Sequence, residues 1–345
     1  MSTIRTGIIG YGLSGRVFHA PFVAADPRFS LQVIATGDRE RREQALSSYP
    51  GVSIVPSPDD ILSRAAELDL VVLASPVHVH YAQGLAALDA GAAVIVDKPF
   101  AASTAQGREL VEKALSVGRP LIVFHNRRWD GDFMTARSLL ESGRLGRVHR
   151  FESTFERFSP SRRERWQDTL TVDQGAGITF DLGSHLVDQA LTLFGPATLT
   201  AAELTIVREG GVSDDDAFLS LLHHSGVRSH LTMSRLAAQS GPRLRVLGTD
   251  AAYRVYGLDP QEPALKLGAR PTDPGFGEAD AADWGLLGID GERLEAVPTA
   301  RGDYAGFYAA AALAIRGEGP TPVEPSDALA VLEILEQAHE LSPVG

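Results

Sequence analysis

The 345-residue chain contains no cysteine, which excludes disulfides, thiolate nucleophiles and cysteine-based zinc sites. Positive charge is in short supply, with 32 basic side chains against 44 acidic ones and a net charge of −12. Nucleic acid is therefore not expected as a partner, because phosphate binding wants a basic face. Long hydrophobic runs are missing as well. The longest nearly unbroken apolar stretch, residues 305–315, falls short of the roughly 20 residues that a spanning helix needs. The first nine residues run straight into a strand-like segment and leave no room for a signal peptide. These absences lead to the expectation of a soluble, cytoplasmic protein with no membrane partner. Histidine pairs at His78/His80 and His223/His224 lack further ligands at site spacing, so no metal is expected.

What is present suits a globular protein: 44% of residues are hydrophobic and 22% charged. The length exceeds one ordinary core, which predicts two domains. In the first third, strand and helix signals alternate. Strands are expected at 6–9, 31–36, 52–55, 69–74, 93–96 and 121–124, with helices at 15–25, from 39, at 80–90 and at 104–117. The unbroken apolar run 69–74 is typical of a strand buried on both faces. The pattern predicts an α/β domain over residues 1–124, a Rossmann domain with a doubly wound parallel sheet. Residues 125–345 read as an α+β domain. Helix signals lie at 131–142, 305–315 and 326–340. Strand signals lie at 148–158, 199–207, 217–223, 228–234, 243–248 and 251–256, with short gaps that imply antiparallel pairing. Residues 268–277 read as a loop.

Chemistry enters at Gly10-Tyr11-Gly12-Leu13-Ser14-Gly15, a G-x-G-x-x-G pattern between a strand and a helix. Gly10 permits the turn, Gly12 lets a pyrophosphate approach the backbone, and Gly15 allows close packing of helix on strand. The following helix would direct its unpaired N–H groups at the phosphates. The second strand ends in Thr36-Gly37-Asp38-Arg39, where an acidic residue would hold the ribose of NAD. Thr36 in that place, with Gly37 and nearby arginines, points to NADP; Asp38 reaching the ribose would select NAD. These charges could equally form a solvated helix start.

Lys98 follows the fifth strand at the carboxyl edge of the sheet, where it could donate to a substrate oxygen, or stand as a surface lysine. Pro99 would fix the backbone there, and a cis bond suits it. Asp181 and His185 lie four apart at the start of an apolar-periodic helix, so both side chains would face one way. The histidine could take a hydroxyl proton while the carboxylate orients it; alternatively Asp181 is a helix cap and His185 a surface residue. His80 could contact the nicotinamide half of a cofactor or cap its helix. Asn126, Arg128 and Trp129, and also Trp166, could line a substrate pocket, or the tryptophans could serve packing.

The stretch Gly10 to Pro21, then Asp97-Lys98-Pro99, then Asp181-Leu182-Gly183-Ser184-His185 resembles the Gfo/Idh/MocA family of dehydrogenases, across essentially the whole chain. The segment from His125 to Asp130, Gly195-Pro196, and Gly241-Pro242-Arg243 to Tyr256-Gly257 are similar to its scyllo-inositol dehydrogenase branch. The resemblance implies a Rossmann domain followed by a domain on an open, mostly antiparallel sheet that pairs subunits into homodimers or homotetramers. It implies a dinucleotide contacted by the glycine turn, by Thr36 to Arg39, and by Ser75, Pro76, His80 and Lys98. It implies Lys98, Asp181 and His185 as the catalytic set, with His185 the acid/base. The chain departs from the family at Asp97, where glutamate is usual, and at Val77, where relatives often carry asparagine; the second leaves one cofactor contact open. The implied activity is interconversion of a ring hydroxyl and a ketone on a cyclic polyol or sugar. Alternatives are a non-catalytic sensor of cofactor or sugar, and reduction of an unsaturated ring or imine on the same fold.

Overall fold

The structure, a computed structural model, describes residues 2–162 and 166–344. It divides into two compact units. The first is built on six strands: β1 (Ile4–Ile9), β2 (Phe29–Ala35), β3 (Ser53–Val55), β4 (Leu70–Leu73), β5 (Ala93–Asp97) and β6 (Leu121–Phe124). Their order is β3-β2-β1-β4-β5-β6 and every pairing is parallel. This is the doubly wound arrangement, with its switch point between β1 and β4. Strands β4 and β6 are buried at every residue, which is why their sequences are unbroken apolar runs. The helix expected at 15–25 is instead a wide π turn, Gly15–His19, continued by an α-helix, Ala20–Ala25.

This unit is not one contiguous stretch. It holds the chain up to His125 and also Gln261–Phe276 and Tyr304–Leu329, so the single cut expected after residue 124 does not describe it. The reason is aromatic packing. The helix Tyr304–Ile315 is apolar nearly all round, and such a helix must be covered on most of its surface. Its Tyr308 stacks on Phe22 with ring centroids 5.5 Å apart, and its Phe307 meets Phe124 edge-on at 4.8 Å.

The second unit comprises Asn126–Pro260, Gly277–Asp303 and the chain from Ala330 onward. Its sheet has eight strands: β7 (Arg150–Glu156), β8 (Ala197–Thr205), β9 (Asp216–His223), β10 (Arg228–Ser234), β11 (Leu244–Leu247), β12 (Ala252–Val255), β13 (Gly285–Gly288) and β14 (Glu295–Val297). The order is β14-β13-β12-β11-β7-β10-β9-β8, antiparallel except between β7 and β10. Phe151, Ser153 and Phe155 of β7 are buried while Glu152, Thr154 and Glu156 alternate outward. The helix Ser184–Phe194 covers the buried face, with Phe194 lying 5.4 Å from Phe151. Among the described residues no helix is long and apolar enough to cross a membrane.

One buried ion pair pins the start of that helix. Asp214 accepts from the backbone N–H of Thr179 at 2.8 Å and from its hydroxyl at 2.6 Å, and its other oxygen meets His339 Nε2 at 3.1 Å. Burial alone would lower the His339 pKa, but the bond to Asp214 outweighs it and the value is raised. An imidazole raised above its unfolded value of about 6.5 contributes its full stability below that pH and loses it as pH rises through the folded value. Thermal unfolding of the wild type against His339→Gln should show a gap of about 1–2 kcal/mol near pH 6 that narrows toward pH 9. A gap that widens with pH contradicts the pairing.

Candidate active site

The glycine turn has the shape its sequence requires. Gly10 sits at φ +96°, and a Cβ there would stand 2.5 Å from the Ala74 carbonyl oxygen. A Cβ on Gly15 would lie 2.0 Å from the Gly10 carbonyl oxygen. Gly12 differs: its missing Cβ meets only Arg41 Nη1, at 3.8 Å. Two glycines thus close the backbone, and the third opens it toward solvent beside a cation. That cradle suits a dinucleotide pyrophosphate. Leu13 is half exposed next to it.

At the end of β2, Thr36 is buried and donates its backbone N–H to the Val55 carbonyl. The Asp38 carboxylate accepts from the Arg41 backbone N–H at 2.9 Å and caps the helix Arg39–Ser48. Arg39 is solvent-exposed and pairs with Glu43.

Beyond β4, Ser75 donates to Gln83 Oε1, Pro76 precedes a short 3₁₀ turn, and Val77 is buried and offers no polar contact. His80 is not placed as expected. It is buried at 1% exposure, with Nε2 2.8 Å from the Ser75 carbonyl and Nδ1 3.0 Å from the Pro99 carbonyl. Both ring nitrogens face backbone carbonyls of the protein itself, and a neutral ring donates its single N–H to one of the two. Burial lowers its pKa, against the opposing charge of Asp97.

Lys98 follows β5 directly and the Lys98–Pro99 bond is cis. Its neighbour Asp97 meets His19 Nε2 at 2.9 Å. Burial would raise the Asp97 carboxyl, but His19, Ser14 and His80 together hold it below its ordinary value. His19 is fully buried and its Nδ1 lies 2.6 Å from the Tyr308 hydroxyl. In sequence, His19 is one more member of the glycine stretch, with no separate role marked by a motif. Its signal was a histidine amid the apolar positions Val17, Phe18 and Ala20.

In the second unit, Asp181 lies in a π turn, Thr179–Gly183, and His185 in the first turn of the helix that follows. The α-helical spacing expected for residues four apart therefore does not hold across that junction, and Asp181 is not a cap. Its Oδ2 accepts from Arg235 Nη2 at 2.6 Å, with the guanidinium almost buried. His185 is buried at 5% exposure and its ring lies 6.4 Å from that of Phe155, nearly parallel. Three guanidiniums, of Arg127, Arg157 and Arg243, stand 4.8–5.5 Å from the same Phe155 ring.

Asn126 and Trp129 bound a 3₁₀ turn; Asn126 is buried and Trp129 partly so. Arg128 forms a forked pair with the buried Asp188, its shortest contact 2.7 Å. Trp166 opens a short helix, Trp166–Thr169, and is partly exposed. Among the described residues no group of three metal-ligating side chains occurs, and His223 is engaged by the Gly195 carbonyl and the Ser229 hydroxyl.

A doubly wound sheet with an open glycine turn, and a lysine at its carboxyl edge, defines a nicotinamide-dinucleotide oxidoreductase. Comparison with known proteins narrows the class. Residues 4–125 match the GFO/IDH/MocA oxidoreductase family with its NAD-binding Rossmann fold, and residues 133–254 match the GFO/IDH/MocA C-terminal domain. The chain is 41% identical to the uncharacterized oxidoreductase YdgJ of Escherichia coli, over 98% of this chain and 96% of that protein. It is 32% identical to the scyllo-inositol 2-dehydrogenase (NADP(+)) IolW of Bacillus subtilis, over 99% and 94%. The solved structure of an oxidoreductase from Bacillus cereus superposes with a TM-score of 0.88 at 28% identity, covering 99% and 98%. The chain belongs to the GFO/IDH/MocA family and is an NAD(P)-dependent dehydrogenase.

The glycines yield a paired prediction. Gly15→Ala, whose methyl group collides with backbone, should lower the melting temperature. Gly12→Ala should leave melting nearly unchanged and weaken NADPH binding in a fluorescence titration by about tenfold or more, the methyl occupying pyrophosphate space. Unaltered binding in Gly12→Ala contradicts the cradle.

Proposed function

We propose that the protein interconverts a ring hydroxyl and a ketone on a cyclic polyol or sugar of the inositol kind, with NADP as the preferred dinucleotide. The observation that carries this reading is the junction at β5: Lys98 stands at the carboxyl edge of the sheet, and its neighbour Asp97 is bonded to His19, at the end of the helical segment that follows the glycine turn. A lysine there can donate from Nζ to the substrate oxygen and offset negative charge developing on it. His185 takes the hydroxyl proton, and Asp181, held by Arg235, orients the hydroxyl or the imidazole. The bound dinucleotide supplies the hydride acceptor or donor. Asn126, Arg128, Trp129 and Trp166 are proposed to line the polyol pocket. The named activity of IolW supports the substrate class and the choice of NADP.

The end of β2 gives the cofactor preference its own physical support. Thr36 brings no negative charge, and Asp38 is engaged in capping its helix. Arg41 reaches over Gly12. A 2′-phosphate would meet little repulsion and one nearby cation. The reading also includes self-association into a homodimer or homotetramer. The eight-stranded sheet leaves Leu222 exposed and Phe218 and Leu286 partly so, among polar residues such as the Glu152–Arg245 pair.

Two measurements test the reading. Purified protein is mixed with NADP or NAD and a panel of inositols and aldoses, and reduced cofactor is followed by absorbance. Lys98→Met should lower kcat by about 100- to 1000-fold, with the dissociation constant for NADPH within about threefold of wild type. Full turnover in that variant contradicts the role of Lys98. No turnover across the panel, in a protein that still binds dinucleotide, favours a sensor. Separately, Thr36→Asp should move the NADP/NAD ratio of kcat/KM toward NAD by about tenfold or more, through repulsion of the 2′-phosphate. An unchanged ratio contradicts the assignment.

A further inference from the structure

The two residues that flank Lys98 are each held by a buried histidine. On one side, the Asp97 carboxylate meets His19 Nε2 at 2.9 Å. On the other, the Pro99 carbonyl lies 3.0 Å from His80 Nδ1. Both rings are buried to 1% exposure or less. At the second nitrogens, His19 Nδ1 stands 2.6 Å from the Tyr308 hydroxyl and His80 Nε2 2.8 Å from the Ser75 carbonyl; a neutral His80 ring carries one N–H, which serves the Pro99 or the Ser75 carbonyl but not both at once. The Tyr308 hydroxyl is anchored in turn, 3.0 Å from the Phe18 carbonyl, and the His19 ring packs on Phe124 with centroids 4.4 Å apart. These contacts lie within the first unit.

We propose that His19 and His80 are positioning residues for Lys98, each fixing one of its chain neighbours so that the ammonium stands at a set point on the carboxyl edge of the sheet. A long flexible side chain aims no better than the backbone that carries it, and a misplacement of about 1 Å can cost about 100-fold in rate. Two rigid rings locked by packing and hydrogen bonds are a direct way to hold that backbone. The arrangement also links the glycine turn to the lysine, because His19, in the segment that follows that turn, bonds the Asp97 side chain. The inference rests on the dehydrogenase reading of Lys98.

The chemistry of the imidazole provides a crossed test. An asparagine amide reaches roughly where Nδ1 stands, and a glutamine amide where Nε2 stands. His19→Gln and His80→Asn therefore keep the bond to a neighbour of Lys98 and lose the outer one. His19→Asn and His80→Gln do the reverse. The inference predicts that the first two retain kcat within about threefold, while the second two lose about 10- to 100-fold, with the KM for NADP little changed in all four. Melting temperatures taken alongside report any general damage to the fold.

A second readout needs no substrate. The chain contains only three lysines, Lys98, Lys113 and Lys266, so acetylation of each is readily followed by peptide mass spectrometry. Lys98 should acetylate at least about threefold faster in His19→Asn and His80→Gln than in wild type, as the strand end is freed. Lys113 and Lys266 should serve as unchanged internal standards. Equal rates of turnover and labelling within each pair overturn the inference. Full turnover in Lys98→Met, with the labelling difference intact, removes the catalytic reading and leaves the positioning.

Discussion

A carboxylate drawn largely out of water is stable only if something pairs with it, and Asp97, with its side chain 16% exposed, sits at the end of an interior strand. Its partner is His19, from the helical segment that follows the glycine turn after β1. That one requirement draws three parts of the first unit to a common point: the glycine turn, the carboxyl end of β5, and the helix Tyr304–Ile315, whose Tyr308 backs the histidine. Lys98 is placed by the same contacts, because it is the next residue in the chain. Burial with Asp97 nearby raises the Tyr308 pKa well above its ordinary value, so this hydroxyl stays neutral at working pH and acts only as a hydrogen-bonding group.

The second unit solves an analogous problem with different side chains. Asp181 is held by Arg235 at the end of β10, and its π turn is held from behind by Asp214 bonded to Thr179 and His339. Next to it, His185 lies over Phe155, whose ring gathers three arginines. The cost of so much buried charge is met locally: Arg127 by Asp130, Arg128 by Asp188, and Arg243 by Asp132 with the Ser153 hydroxyl and the Gln189 amide. In both units the key residue sits in a π segment that leads into an α-helix, His19 in Gly15–His19 and Asp181 in Thr179–Gly183. A π segment widens the helical spacing and redirects side chains, and such segments concentrate at functional sites.

These two segments also mark where the sequence was hardest to read. Buried parallel strands such as Leu121–Phe124 announce themselves as apolar runs, and the helix Thr104–Val117 has a serine cap before it and a left-handed glycine after it. Hydrophobic periodicity carries no mark of an extra residue in a helical turn, so 15–25 read as one helix and residues 181 and 185 as one face. The strands Gly285–Gly288 and Glu295–Val297 are too short and too polar at their flanks to stand out. The return of Gln261–Phe276 and Tyr304–Leu329 to the first unit is a matter of tertiary packing. No local pattern encodes which core an apolar helix will join. The candidate residues themselves were legible because the glycine turn, Asp97-Lys98-Pro99 and the stretch from Asp181 to His185 are contiguous motifs. The partners His19, Arg235 and Tyr308 were not, since each acts from a distant part of the chain.

Direct transfer of hydrogen between substrate carbon and nicotinamide is the central claim, and an isotope measures it most plainly. A cyclic polyol deuterated at its ring carbons is incubated with the protein and NADP, and the NADPH produced is weighed by mass spectrometry. The account predicts a gain of one mass unit in the reduced nucleotide, matched by loss of one deuterium from the ring. Reduced nucleotide of ordinary mass, with the label released to water, would contradict it.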